Sequence, residues 1–210
     1  MIDIILIVNP PRSAKLPRMS EVEKRRSHNR ILDAAAQLFR ERGIEATSLA
    51  DVMKAAGMTH GGFYRHFHSK EDLIAAAFRH AVDDVVSEME REGSSEGRGK
   101  ERQDYIAKYL SQAHVRDSRH GCPLAAMGTE LARTKGASRH AGAQASDRMA
   151  ALLQDTPESG SHQGLAAMAL LMGTITLARL AGTEEEADRA LEAGRTAIDL
   201  LQDHWPQDRS

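Results

Sequence analysis

Aromatic side chains are scarce in this chain: Phe, Trp and Tyr together make up 4% of its 210 residues. Sheets draw on aromatic and β-branched residues to fill their pleated faces, so this scarcity, alongside frequent Ala, Leu and Met, argues for close-packed helices. Cysteine is nearly absent. The single Cys122 excludes an intrachain disulfide framework and fits a reducing compartment, with the cytoplasm as the expected location. No nucleophile elbow, phosphate-binding loop, paired-acid motif or dinucleotide fingerprint occurs, so neither catalysis nor a cofactor is expected. Long apolar runs are missing too. Residues 1–8 are apolar but too short for a span, lack a basic leader and run into Pro10-Pro11. Residues 164–180 also read as too short, so no membrane contact is expected.

The length suits one compact body with a small module attached. The formal charge of −2 is unevenly divided. Residues 1–70 hold 12 Lys+Arg against 7 Asp+Glu (+5), and residues 71–210 hold 16 against 23 (−7). Either this is ordinary surface variation, or the front meets a polyanion and the back does not.

Periodicity and capping signals place the helices. Ser20-x-x-Glu23 has capping-box spacing, and Ile31, Leu32, Ala35, Leu38 and Phe39 follow on one face until Gly43. Ser48-x-x-Asp51 opens a short second helix with Leu49, Val52, Met53 and Ala56 apolar, ended by Gly57. A brief third helix runs from Thr59 to about Phe67. Ser69-x-x-Asp72 caps the next, with Leu73, Ile74, Ala77, Phe78, Ala81, Val82, Val85 and Met89 in register. Residues 92–100 (EGSSEGRGK) read as a loop. Helices are expected again over 101–115, with Tyr105, Ile106, Tyr109 and Ala113 inward, then 123–133, 137–153, 164–180 and about 184–202, with Pro157 closing the middle group. The expected fold is therefore all-α, with about nine helices. Residues 1–19 read as a disordered extension or a mis-assigned start, 20–67 as a helix-turn-helix domain, and 68–205 as a helical domain for ligand binding and dimerisation.

The chemistry concentrates in TSLADVMKAAGMTHGGFYRHFHSKEDL, residues 47–73. Two short helices about a tight Gly57-Met58 turn have helix-turn-helix layout, in which the second helix enters the major groove. Thr59 and His60, at its start, are placed to reach base edges. Gly61 and Gly62 are poor helix formers that let a backbone come close to DNA. Tyr64, His66, Lys70, Ser48 and Thr47 are candidate donors to phosphate oxygens. A plain turn in a helical bundle would account for Phe63 and Phe67 as core. It would not account for His60, Tyr64, Arg65, His66 and Lys70 gathering in one basic segment.

On these residues the chain resembles the TetR family of transcriptional regulators. The pattern ILDAAAQLFRERGIEATS, the A-G-hydrophobic turn, and the tail G-x-x-Y-x-H-F-x-x-K-x-x-L, met by Gly61, Tyr64, His66, Phe67, Lys70 and Leu73, carry the resemblance over about residues 24–74. Met53 departs from it, standing where the family often has Ala. The resemblance implies a homodimer of all-helical, omega-shaped subunits on a palindromic DNA operator, usually repressing nearby genes. It also implies a small-molecule effector that tilts the helix following the recognition helix and so releases DNA. An activator of the same architecture, or a helical small-molecule binder with a vestigial DNA module, are the alternatives.

The C-terminal half is less explicit. Arg119-His120-Gly121-Cys122-Pro123-Leu124 sets the thiol at a helix start beside basic groups. That setting can lower a thiol pKa and make it a sensor of electrophiles or oxidants, or Cys122 simply tucks a helix end against its neighbours. The run GCPLAAMGTELAR also looks like that of some members of the family. Tyr105, Tyr109, Cys122, Met127, Leu131, Met168 and Met172 are candidate ligand contacts, each equally explicable as core. His66-x-His68 and the group His114, His120 and Cys122 lack a complete ligand set, so no metal is expected. The last two helices, rich in small residues, either pair with those of a second copy as a four-helix bundle or complete the core of one subunit.

Overall fold

Ser20 opens the first helix as its spacing predicts. Its hydroxyl accepts the Glu23 amide at 3.2 Å and the Glu23 carboxylate accepts the Ser20 amide at 3.0 Å, satisfying two donors that a helix start leaves unpaired. In the computed structural model, which describes residues 20–91, 95–154 and 160–205, this helix α1 spans Glu21–Arg42. It is followed by α2 Leu49–Ala55, a 3₁₀ helix His60–Arg65, α3 Lys70–Arg91, α4 Ser95–Tyr109, α5 Gln112–Arg116, α6 Pro123–Arg133, α7 Ala137–Leu153, α8 Gly160–Leu180 and α9 Glu184–Asp203. No strand occurs among the described residues. The extension expected over residues 1–19, and Pro157, lie outside them.

The packing follows the apolar faces. Ile31, Ala35 and Phe39 of α1 and Leu73, Ala77, Phe78 and Ala81 of α3 are fully enclosed, and α3 packs on α1 and also on α7. Helix α8 packs on α7 and α9. The α7–α8 crossing is close enough that a Cβ on Gly164 would collide with the Ala150 carbonyl, which makes glycine a requirement there. A contiguous apolar core joins residues from α1 to α9.

Three expectations are corrected. Residues 95–100, read as a loop, are the first turns of α4: Gly97 and Gly99 each weaken a helix by only about 1 kcal/mol, which contacts of α4 with α3 and α8 can override. The helix expected over 101–115 breaks after Tyr109, where Ser111 starts α5 by accepting the His114 amide at 3.3 Å, and Ala113 turns outward. The segment read as too short to span a bilayer is, as His162–Leu180, long and apolar enough to do so; it lies packed between α7 and α9.

Candidate DNA interface and ligand cavity

Helix α2 is held at its start by the Ser48–Asp51 capping box and ends in a turn that Gly57 makes with φ +67°, a left-handed conformation costly to other residues. The Met58 amide returns to the Met53 carbonyl at 2.8 Å and locks the turn. The recognition segment is a 3₁₀ rather than an α-helix, consistent with its two glycines and six-residue length. Phe63 and Phe67 anchor it in the core as expected, and Met53 is also fully buried against it.

That anchoring turns Thr59, His60, Gly61, Tyr64 and Arg65 outward. Tyr64 is 66% exposed, unusual for a tyrosine unless something else covers it, with its ring edge-on to Phe63. A Cβ on Gly61 would meet nothing, so the protein's own packing does not demand glycine there. Gly62 is half-buried, and a Cβ there would make ordinary contacts with Met53 and Met58.

The other expected phosphate donors are buried or already engaged to different degrees. Thr47 is fully buried, and its hydroxyl donates to the Gly43 carbonyl at 2.7 Å; it holds the α1–α2 loop and offers nothing outward. The Ser48 hydroxyl is exposed but engaged with Asp51. Lys70 donates to the Ile44 carbonyl at 2.9 Å, using one of its three N–H groups. His66 is half-buried with both ring nitrogens enclosed and unpartnered, 5.9 Å from the ring of His28, which stacks on Phe67 at 4.6 Å. Burial first, and then the neighbouring His28, push the His66 pKa down. The exposed run Lys24-Arg25-Arg26 on α1 was not singled out from the sequence; Lys24 lies close enough to His66 and His28 to depress both electrostatically. The run of three cations was the available signal.

The loop behind this surface is tied to the body. The Glu130 carboxylate of α6 accepts the Ile44 amide at 3.0 Å and the Glu45 amide at 3.2 Å, so both the amide and carbonyl of Ile44 are fixed from outside α1 and α2.

A cavity of about 430 Å³ opens between α1, α3, α4, α5 and the loop before α6. Among the sequence-predicted ligand residues it gathers Tyr105, Tyr109 and Cys122. Met127, Leu131 and Met168 are buried in the core away from it, and Met172, half-buried, does not line it either. Asp84 and Val85 of α3 and Arg40 of α1 complete the wall on the DNA-binding side. His114 clamps the far side: its Nδ1 pairs with the Tyr109 carbonyl at 2.8 Å and its Nε2 with the Cys122 amide at 3.1 Å. The Cys122 amide can only donate, which makes Nε2 the acceptor and Nδ1–H the donor of a neutral ring. Burial accordingly pushes the His114 pKa down. Cys122 is only 3% exposed and burial pushes its thiol up, which fits the reading that it tucks a helix end against its neighbours rather than the reading as a low-pKa sensor. Of its basic sequence neighbours, Arg119 pairs with Glu41 at 2.9 Å and His120 with Asp117 at 2.9 Å.

A helix-turn-helix presented by a helical body with a cavity at their junction defines a DNA-binding regulator. Comparison with known proteins gives the family. The model described as "Bacterial regulatory proteins, tetR family" matches residues 31–77, and that described as "Tetracyclin repressor-like, C-terminal domain" matches residues 99–194. The chain belongs to the TetR family of transcriptional regulators. It is 46% identical over 55 residues to the HTH-type transcriptional repressor KstR2 of Rhodococcus jostii, covering 26% of this chain and 27% of that protein. To the regulator AcrR of Shigella flexneri it is 35% identical over 77 residues, covering 37% and 35% respectively. These matches thus span only about a quarter to a third of the curated relatives' length. The fold is similar to that of reduced E. coli NemR, with TM-score 0.61 and 21% identity over 81% of this chain and 95% of that one. A TetR-family regulator from Agrobacterium tumefaciens gives TM-score 0.63 at 19% identity, over 83% and 97%.

Proposed function

We propose that this regulator is a cytoplasmic homodimeric repressor, displaced from a palindromic operator by a small molecule bound in the cavity beside Tyr105 and Tyr109. The observation that carries the reading is the shared wall: Arg40, on the first helix of the DNA-binding unit, is buried in the lining of a cavity otherwise built by the body. Occupancy of that cavity therefore bears on the element that carries the recognition helix. Thr59 and His60 read base edges, Gly61 admits the DNA backbone, and Ser48, Tyr64 and Lys70 contact phosphates. Thr47 and His66 support that surface from behind. The second copy docks on α8 and α9, where Leu177 (63% exposed), Leu180 (77%) and Leu200 (54%) lie uncovered. In such a dimer the two recognition helices must stand about 34 Å apart to enter successive major grooves, and a ligand that favours another spacing releases DNA.

Titration into labelled DNA from the region upstream of its own gene, against a scrambled duplex at two salt concentrations, tests the reading. The expected result is a salt-sensitive preference for the native sequence, by a protein that elutes at dimer mass. Equal weak binding to both duplexes, or a monomer at working concentration, overturns it.

A further inference from the structure

Three residues that line the cavity, Arg40, Tyr105 and Tyr109, carry enclosed hydrogen-bond donors for which the protein supplies no strong acceptor. The Tyr105 hydroxyl is enclosed without a hydrogen-bond partner, and the enclosed Tyr109 hydroxyl has only the Cys122 sulfur to donate to. Tyr109 is 3% exposed, and the polar group beside it is the Cys122 thiol, a weak acceptor. Arg40 is buried as well. Its Nε has no partner, and its Nη1 reaches only the Gly121 carbonyl, at a long 3.5 Å. An enclosed donor without an acceptor costs about 1–3 kcal/mol, and more when charged, so two of them in one cavity, with a third held only by sulfur, amount to a site kept open for an acceptor.

The acidic residues of the cavity, Asp84 and Asp117, act on the Arg40 charge through space but make no hydrogen bond to it. Asp117 accepts the His120 amide at 3.2 Å and pairs with its ring at 2.9 Å, and Asp84 is an exposed rim residue 3.8 Å from His80. Lys108 adds a further cation to the lining, while Val85 and the Tyr105 and Tyr109 rings, tilted at 55° with centroids 5.7 Å apart, supply apolar wall.

From this lining we infer that the cavity takes a small organic acid, bound as its carboxylate on Arg40, Tyr105 and Tyr109, with an apolar or aromatic body against Val85 and the tyrosine rings. A carboxylate brings two oxygens with about four acceptor sites and the directly bonded opposite charge that Arg40 lacks, whereas an amide brings one acceptor oxygen and no charge, and an amine brings a repelled cation. A volume of about 430 Å³ falls at the small end of the range for ligand sites, roughly 300–1,000 Å³. The inference rests on the effector reading above and sharpens it: an acid held by Arg40 is held by α1 itself.

The test is calorimetric titration of the full-length protein, without DNA, using matched acid and amide pairs: benzoate and benzamide, phenylacetate and phenylacetamide, cinnamate and cinnamamide. At least one acid should bind about tenfold or more tighter than its amide. Tyr109→Phe, which keeps the ring and its packing, should weaken that acid more than its amide, and Arg40→Gln should remove the difference. If no acid outbinds its amide, or the advantage survives in both variants, the inference falls. Release of labelled DNA is measured separately. Acids that bind with this preference but release no DNA support the anion site and refute the effector role; neutral molecules that release DNA while no acid is preferred do the reverse.

Discussion

Replacing Glu130 should loosen the joint between the DNA-binding unit and the body by an amount that its hydrogen bonds allow to be worked out. Its carboxylate serves two backbone amides of the α1–α2 loop. Glu45 is exposed, so its amide recovers a water when the carboxylate is removed and contributes little. Ile44 is 6% exposed, so its amide loses a charge-assisted bond without easy replacement, at roughly 1.5–3 kcal/mol. Glu130→Ala should therefore cost about 2–3 kcal/mol. Glu130→Gln, which keeps one carbonyl acceptor and loses the charge, should cost about 1 kcal/mol. Urea unfolding at matched protein concentration measures both, since a dimer's apparent stability depends on concentration. With a urea slope of roughly 2 kcal/mol per molar, the alanine midpoint should fall by about 1 M. An alanine variant within about 0.5 kcal/mol of the parent, or one no worse than the glutamine variant, would refute the reasoning.

Other outcomes follow from the same geometry. Thr47→Val removes a buried donor from the Gly43 carbonyl and should destabilise by about 1 kcal/mol while leaving DNA sequence preference and salt dependence unchanged; a changed preference in mobility shift would return Thr47 to the interface. Tyr64→Ala should weaken binding to all duplexes alike while leaving the salt slope unchanged, since a neutral phenol releases no counterion, whereas His60→Ala should change which sequence is preferred, and equal effects from both would contradict that division. His28, His66 and His114 all have pKa values pushed down by burial, so the fold favours their neutral forms. Below about pH 6.5 the unfolded chain takes up protons that the folded one refuses, so stability is present above that pH and lost as pH falls towards the depressed values. The urea midpoint should thus be lower at about pH 5.5 than at about pH 7.5, and His114→Gln should flatten part of that drop; a parent more stable at the lower pH contradicts it.

What could be read from the sequence was what depends on residues close together along it. The capping pairs Ser20–Glu23 and Ser48–Asp51, the turn at Gly57 and the anchoring of Phe63 and Phe67 are local or periodic features, and the structure forms each of them. Tertiary contact decided the rest. Thr47 has the same short polar side chain whether it faces a phosphate or the Gly43 carbonyl. Only the packing of the α1–α2 loop turns it inward. Arg40 reads as an ordinary cation in the last turn of an amphipathic helix, and nothing in its neighbourhood shows that α4 and the loop before α6 close over it. The choice between the two readings of Cys122, sensor thiol or helix-end packing, likewise needed tertiary structure, and its burial favours the second. Arg119 and His120 are adjacent in sequence, but each is paired with an acid, while the thiol is enclosed and its burial outweighs their charge.

Arg40 and Glu130 bind the DNA-binding unit to the body in different ways. Glu130 is saturated: its oxygens hold the α1–α2 loop with short bonds that a ligand has no reason to disturb. Arg40, from α1, makes one long bond and keeps its Nε free. A ligand shifts an equilibrium only by its difference in affinity for the two states, so a coupling element must have something left to gain. Arg40 has that unused capacity. A carboxylate in the cavity would strengthen its attachment to the body while Glu130 keeps the loop in place, making α1 pivot about the loop. The helix that presents Thr59, His60 and Tyr64 is packed on α2, next in the chain after that loop, so under the proposed function such a pivot would reach the surface proposed to read DNA.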